Sequence, residues 1–298
     1  MAHVKAKSSS HKATNTSTST VNATAKSTAI STIKSVHGAF TSLPLIGLII
    51  AEFLGTFIIT VAFLEMQGSP LFYGFALIGA VLMIGGVSGA HLNPAVTIGA
   101  LATRKITALN AFLYVLAQIL GAVAAWWVLT LFAKASVIGS GEPNAVFHSA
   151  AIFTGSDTTA IQSWTDKGWL LFYIELLGTS IMSLGIATAL RLRKNKIVAS
   201  FAAGLAATIA LYITLTLASS LSSLVTSQNS VGLVFLNPAI AAAAGAFTWP
   251  LASWEISIYA VAPVIGGIIG FILQDYLYSQ SSENSCDCEC SENCTCCK

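Results

Sequence analysis

The sequence predicts an all-α membrane protein of six transmembrane helices plus two re-entrant half-helices, related by an inverted internal repeat. Three observations carry that prediction. Of the 298 residues 55% are hydrophobic and 9% are charged, against about 25% charged in ordinary soluble domains, so the chain cannot clothe a water-facing surface. The triplet Asn-Pro-Ala occurs twice within apolar sequence, at Asn93-Pro94-Ala95 and Asn237-Pro238-Ala239. Short motifs of the first half also recur in the second, at spacings of 123, 144 and 145 residues.

Residues 1–42 are rich in Ser, Thr, Ala and Lys and hold no acidic residue, which reads as a disordered cytosolic tail. A cleaved transit peptide is the alternative, and the absence of arginine argues against it. Six apolar runs follow, at Leu43–Leu64, Leu71–Val87, Phe112–Phe132, Leu170–Leu190, Ile197–Ser219 and Ile256–Leu277. Most match the ~20 residues needed to cross a ~30 Å hydrocarbon layer. The membrane-spanning region is thus 43–278, with repeats at about 43–133 and 168–278 and a polar connection over 133–168. The segment 279–298 is a Cys-rich cytosolic tail.

Each Asn-Pro-Ala reads as a helix start. Asparagine is a favoured N-cap, and proline, which lacks an N–H, is at ease in a first turn. About ten residues at 1.5 Å each cover half the hydrocarbon thickness. Residues 93–103 and 237–247 would therefore be stubs meeting near the midplane.

Alternating spans put twelve Lys and Arg on the side of the N-terminus and only Lys134 and Lys167 opposite. That bias places both termini in the cytosol, with plasma and vacuolar membrane equally compatible. The net charge of +2 reports topology, and no nucleic-acid partner is expected.

Ala51–Thr56 matches Ile174–Thr179, Ala117–Ala122 matches Ala262–Gly267, and the two triplets match each other. Three spans per half is an odd number, so the second copy runs inverted, with the site expected at the midplane. The positive ends of two opposed half-helices would oppose a cation or proton there and let a neutral dipolar molecule pass. The amides of Asn93 and Asn237 can donate to its oxygen. No cofactor is needed and no catalytic arrangement is evident.

Ser88–Thr97 resembles the first signature loop of the aquaporins, or major intrinsic proteins, and Ala51–Phe57, Tyr114–Ala122 and Tyr259–Gly267 resemble the family's first, third and sixth spans. The resemblance implies a homotetramer embedded in membrane lipid, each subunit holding its own pore for water or small neutral solutes. It also places Tyr73, Val234 and Ile240 in the outer selectivity filter. There Ile240 replaces the usual arginine, so the filter should be wider and more apolar. The fourth wall is Leu211 if the fifth span aligns on Gly204, or Val225 by counting back from Asn237, and Leu211 is preferred. A histidine typical of strict water channels is absent either way, and Ala241 stands where glycerol facilitators carry aspartate. The expected permeants are water and glycerol, urea, ammonia or hydrogen peroxide.

Glu52 and Glu175 lie inside apolar spans, which requires hydrogen bonding. Their equivalence favours a loop-stabilising role over a proton relay, as the resemblance also implies. His91 reads as structural, with pH gating as the alternative. Cys286, Cys288, Cys290, Cys294, Cys296 and Cys297 could bind a soft metal or be acylated, although a solvated tail is the simpler reading. Two rival functions remain open at this point, a proton-coupled transporter and a non-conducting scaffold.

Overall fold

The computed structural model describes residues 43–140, 168–222, 234–247 and 253–284. One compact unit comprises Met1–Ile46 and a second Gly47–Lys298. Of the first, only 43–46 is described, the opening turn of helix α1.

All described regular structure is helical. The elements are α1 (Leu43–Glu65), α2 (Pro70–Ser88), α3 (Pro94–Ala102), α4 (Ala108–Ser140), α5 (Gly168–Arg191), α6 (Lys196–Ser222) and α7 (Pro238–Ala243). They are followed by α8 (Ser253–Ile256), a π-helical segment (Ser257–Val261) and α9 (Ala262–Asn284). Six helical stretches are long and apolar enough to cross a membrane. Large apolar side chains lie bare on their outer faces, among them Phe72, Met83, Phe112, Trp127, Ile197 and Tyr212. Such a belt suits lipid or a neighbouring protein surface, not water.

The inner faces meet through small residues, which let backbones approach in the absence of a hydrophobic drive between helices. A Cβ on Gly121 would strike the carbonyl of Phe53, and one on Gly266 would lie 2.5 Å from the carbonyl of Leu176. These two glycines therefore set the α1–α4 and α5–α9 crossings. Gly55 and Gly178 do something else. A Cβ there would meet the side chains of Leu92 and Leu236, at 2.5 and 2.6 Å, so they leave room for the loop leucines just ahead of the triplets.

Helix boundaries depart from the apolar runs in three places. Helix α4 continues through Ser140, into the stretch expected to be a connection, and α9 runs to Asn284, six residues into the expected C-terminal tail. Hydropathy marks only the part of a helix facing hydrocarbon. The half-helices are also unequal, nine residues in α3 and six in α7, where about ten each were expected. Both end in a Schellman motif. Lys105 N donates to Ala100 O and Arg104 N to Leu101 O, while Ala246 N donates to Ala241 O and Gly245 N to Ala242 O.

After α8 the sixth span takes a π turn, in which Ala262 N donates to Ser257 O. It lies one residue before Pro263, whose ring would clash with a carbonyl four residues back in a regular helix.

Candidate functional site: the crossed half-helix ends

The two half-helices start alike. Asn93 has an extended backbone (φ −155°, ψ 122°) and its Oδ1 accepts from Ala95 N at 2.8 Å. Asn237 has φ −144° and ψ 107°, and its Oδ1 accepts from Ala239 N at 3.0 Å. Proline in the first turn leaves no N–H there to satisfy. The first intrahelical bonds, Thr97 N to Asn93 O and Ala241 N to Asn237 O, are both 2.9 Å.

The two ends are tied crosswise. Asn93 Nδ2 donates to Leu236 O at 2.8 Å, and Asn237 Nδ2 donates to Leu92 O at 3.0 Å. Leu92 and Leu236 both hold positive φ, 52° and 54°, a conformation that costs a non-glycine residue about 1–2 kcal/mol. Each amide carries two N–H groups, so one donor per asparagine is engaged by the opposite loop.

The glutamates hold the loops that precede the triplets. Glu52 Oε1 accepts from Ser88 Oγ (2.6 Å) and His91 N (3.0 Å), and Oε2 from Leu92 N (2.8 Å) and Gln118 Nε2 (2.7 Å). Gln118 Nε2 also donates to Thr97 Oγ1 at 2.9 Å, and Tyr114 donates to Ser88 O at 2.9 Å. Glu175 accepts from Phe235 N at 2.7 Å and Leu236 N at 2.9 Å. Both carboxylates are fully buried, and charge-assisted bonds to backbone N–H offset that burial. His91 packs edge-on against Tyr114 at 5.4 Å, and its Nδ1 has no partner. The hydroxyls of Thr56, Thr60, Thr179 and Ser183 are buried without partners one and two helical turns beyond the two glutamates.

Tyr73, Leu211, Val234 and Ile240 belong to one buried cluster. Helices α2 and α6 cross where a Cβ on Gly74 would meet Thr208 and, at 2.9 Å, the carbonyl of Gly204. Leu211 is three residues beyond Thr208, one turn further along the same face, which brings it level with the start of α2 and Tyr73. Val225 and the six cysteines lie outside the described residues. Among the described residues no group of three His, Cys, Asp or Glu side chains could hold a metal ion.

Sequence reasoning passed over Gln118, Phe63 and Phe235. A buried amide in an apolar run was the available signal for Gln118. The two phenylalanines resemble any other core residue until the fold brings them together, with ring centroids 5.8 Å apart. On the side of Arg193 and Lys196 a cavity of about 230 Å³ opens, lined by Val81, Gly85, Ala90, Ile186, Leu190 and Ala203.

The sequence profile of the Major intrinsic protein family matches residues 39–274. The lens fiber major intrinsic protein of Rattus norvegicus is 31% identical over 208 residues, 70% of this chain and 67% of that protein. Glycerol uptake facilitator protein-like 6 of Lactiplantibacillus plantarum is 28% identical, over 74% of this chain and 93% of its own. Aquaporin AqpM of Methanothermobacter thermautotrophicus is 27% identical, over 70% and 76%. The X-ray structure of the aquaglyceroporin from Plasmodium falciparum shares the fold, with a TM-score of 0.56 at 21% identity over 80% of this chain and 99% of that one. With its six spans and crossed half-helix ends, the chain belongs to the major intrinsic protein family and is a multi-pass membrane channel, not an enzyme.

Proposed function

We propose that water and small neutral solutes such as glycerol, urea, ammonia or hydrogen peroxide pass between the starts of α3 and α7. The observation that carries this reading is the pair of crossed bonds from Asn93 and Asn237. They fix two helix N-termini together, so two partial positive ends converge where a cation would have to lose its water. The second N–H of each asparagine serves the oxygen of a passing solute. Tyr73, Leu211, Val234 and Ile240 line the aperture further out, and without an arginine that aperture carries no fixed charge.

Glu52 and Glu175 serve as loop braces. Each of their oxygens accepts a backbone N–H, an arrangement that suits a fixed carboxylate better than a proton carrier. A homotetramer with one pore per subunit, and both termini in the cytosol, complete the reading. The basic residues support that orientation through the positive-inside rule.

Stopped-flow light scattering on reconstituted vesicles tests the proposal. The protein should speed water and glycerol flux over empty vesicles, with no dependence on a pH gradient. Ile240→Arg should slow glycerol and urea more than water, because a long, hydrogen-bonding side chain narrows the aperture. Flux equal to that of empty vesicles would leave a non-conducting scaffold, and flux that collapses with the pH gradient would leave a coupled transporter.

A further inference from the structure

The two ends of the passage differ. The cavity near Arg193 and Lys196 opens one half, whereas Asn237, Leu211 and Ile240 expose no surface at all, and Tyr73 and Val234 expose 2%. A side chain that borders an open single-file path leaves some of its surface within reach of a water molecule. The outer half is therefore narrow in this structure.

Aromatic rings occupy the region. Phe63, near the end of α1, meets Tyr73 edge-on at 5.7 Å and Phe235 at 5.8 Å. Phe235 in turn meets Tyr259 edge-on at 5.3 Å, and Tyr259 meets Phe247 at 6.4 Å. Phe63 thus bridges two walls of the aperture, Tyr73 on α2 and the loop that carries Val234. Phe235 is held at its backbone by Glu175, so only its ring can turn. The tip of the Phe63 ring lies against Gly68, where an added Cβ would be 3.2 Å away. Glycine there leaves the ring as much room as any residue could.

We propose that Phe63 and Phe235 are specificity-determining residues, an aromatic pair that closes the outer constriction and turns aside as a solute passes. The inference rests on the channel reading above. It places control of solute size on two rings rather than on Ile240 alone. The rings offer no hydrogen bond, so a solute loses water on that side and finds replacement donors and acceptors at Tyr73 and the asparagines. Among solutes of equal size, those with fewer hydroxyl or N–H groups pass faster, since each unpaired polar group adds to the barrier.

The test compares wild type, Phe63→Ala, Phe235→Ala and the shape-retaining Phe63→Leu and Phe235→Leu in proteoliposomes, with size-exclusion elution as the check on folding. Both alanine variants should raise glycerol permeability severalfold and water permeability less, with the leucine variants in between. Should an alanine variant fail to fold, the leucine variant at that position carries the same test. A conducting wild type whose folded variants show unchanged glycerol-to-water ratios overturns the aromatic assignment and leaves the channel reading intact. If neither wild type nor any variant conducts, both fall. A silent wild type whose Phe235→Ala variant conducts also overturns the proposal, because the rings then do not turn aside for a solute.

Discussion

The last residues ahead of the first triplet and of the second share a left-handed leucine, Leu92 and Leu236, and are held by different forces. At the first, Glu52 gathers four donors, two from the backbone and two from Ser88 and Gln118, with Tyr114 bonding the carbonyl of Ser88. At the second, Glu175 has two backbone donors among the described residues, and Phe235 packs between Phe63 and Tyr259. The position that matches Gln118 in the repeat is Pro263, which has no side-chain donor. The inverted repeat therefore conserves what the backbone must do (present Leu92 and Leu236 carbonyls to the opposite asparagine) and leaves the means free. One loop is fixed by a polar network, which suits a single geometry. The other is fixed by ring packing, which permits a side chain to move without breaking a hydrogen bond.

The largest expected effect concerns what the two halves share. Gly121→Ala and Gly266→Ala each drive a Cβ into a carbonyl of the neighbouring helix, at Phe53 and at Leu176. Neither clash can be relieved by a rotamer change, so each should cost more than about 4 kcal/mol, the range reserved for core overpacking and lost networks. Fluorescence-detected size exclusion of solubilised membranes should show almost no folded protein for either. Survival of one and loss of the other would break the structural equivalence of the halves.

The polar and aromatic clamps should separate next. Each buried donor left without a partner costs about 1–3 kcal/mol. Glu52→Ala orphans two backbone N–H groups plus the Ser88 hydroxyl and the Gln118 amide, whereas Glu175→Ala orphans the two backbone groups. Thermal midpoints in detergent should fall for both, and further for Glu52→Ala by the equivalent of roughly 2–6 kcal/mol, two more donors at about 1–3 kcal/mol each. Equal falls would mean that Ser88 and Gln118 add nothing to the first clamp. Gln118→Leu sharpens the point. It retains volume, removes the donor shared by Glu52 and Thr97, and should cost about 1–2 kcal/mol.

How much of this was legible in the sequence follows from the range of the forces involved. The half-helix starts were readable because an N-cap asparagine followed by proline is a local instruction, and the paired glutamates because a charge within an apolar run demands a partner. The crossed bonds between Asn93 and Leu236, and between Asn237 and Leu92, join residues 143 and 145 positions apart, and no local pattern encodes them. The six-residue length of α7 was partly visible, since Gly245 with φ 77° supplies the helix stop. Phe63 and Phe235 were invisible, because hydrophobicity alone does not tell a ring that fills a core from one that fills a passage. The π turn had a signal in Pro263, and its consequence depended on the helices packed around it.

The smallest effect lies at the far ends of the half-helices, where the same motif is built from different residues. In α3 the left-handed position is Arg104, φ 58°, and in α7 it is Gly245, φ 77°. A side chain in that conformation costs roughly 1 kcal/mol relative to glycine. Arg104→Gly should therefore stabilise the protein by somewhat less than that, since the glycine also gains freedom in the unfolded chain. Gly245→Ala should destabilise by about 1 kcal/mol. The adjoining ion pairs of Asp275 with Lys105 (2.6 Å) and Arg191 (2.5 Å) do not use Arg104, so they remain in the glycine variant. Opposite shifts of the thermal midpoint are expected at the two sites. A loss at Arg104→Gly would show that the guanidinium contributes more to this end of the bundle than the backbone strain it imposes, and would make the two helix ends unlike in energy as well as in sequence.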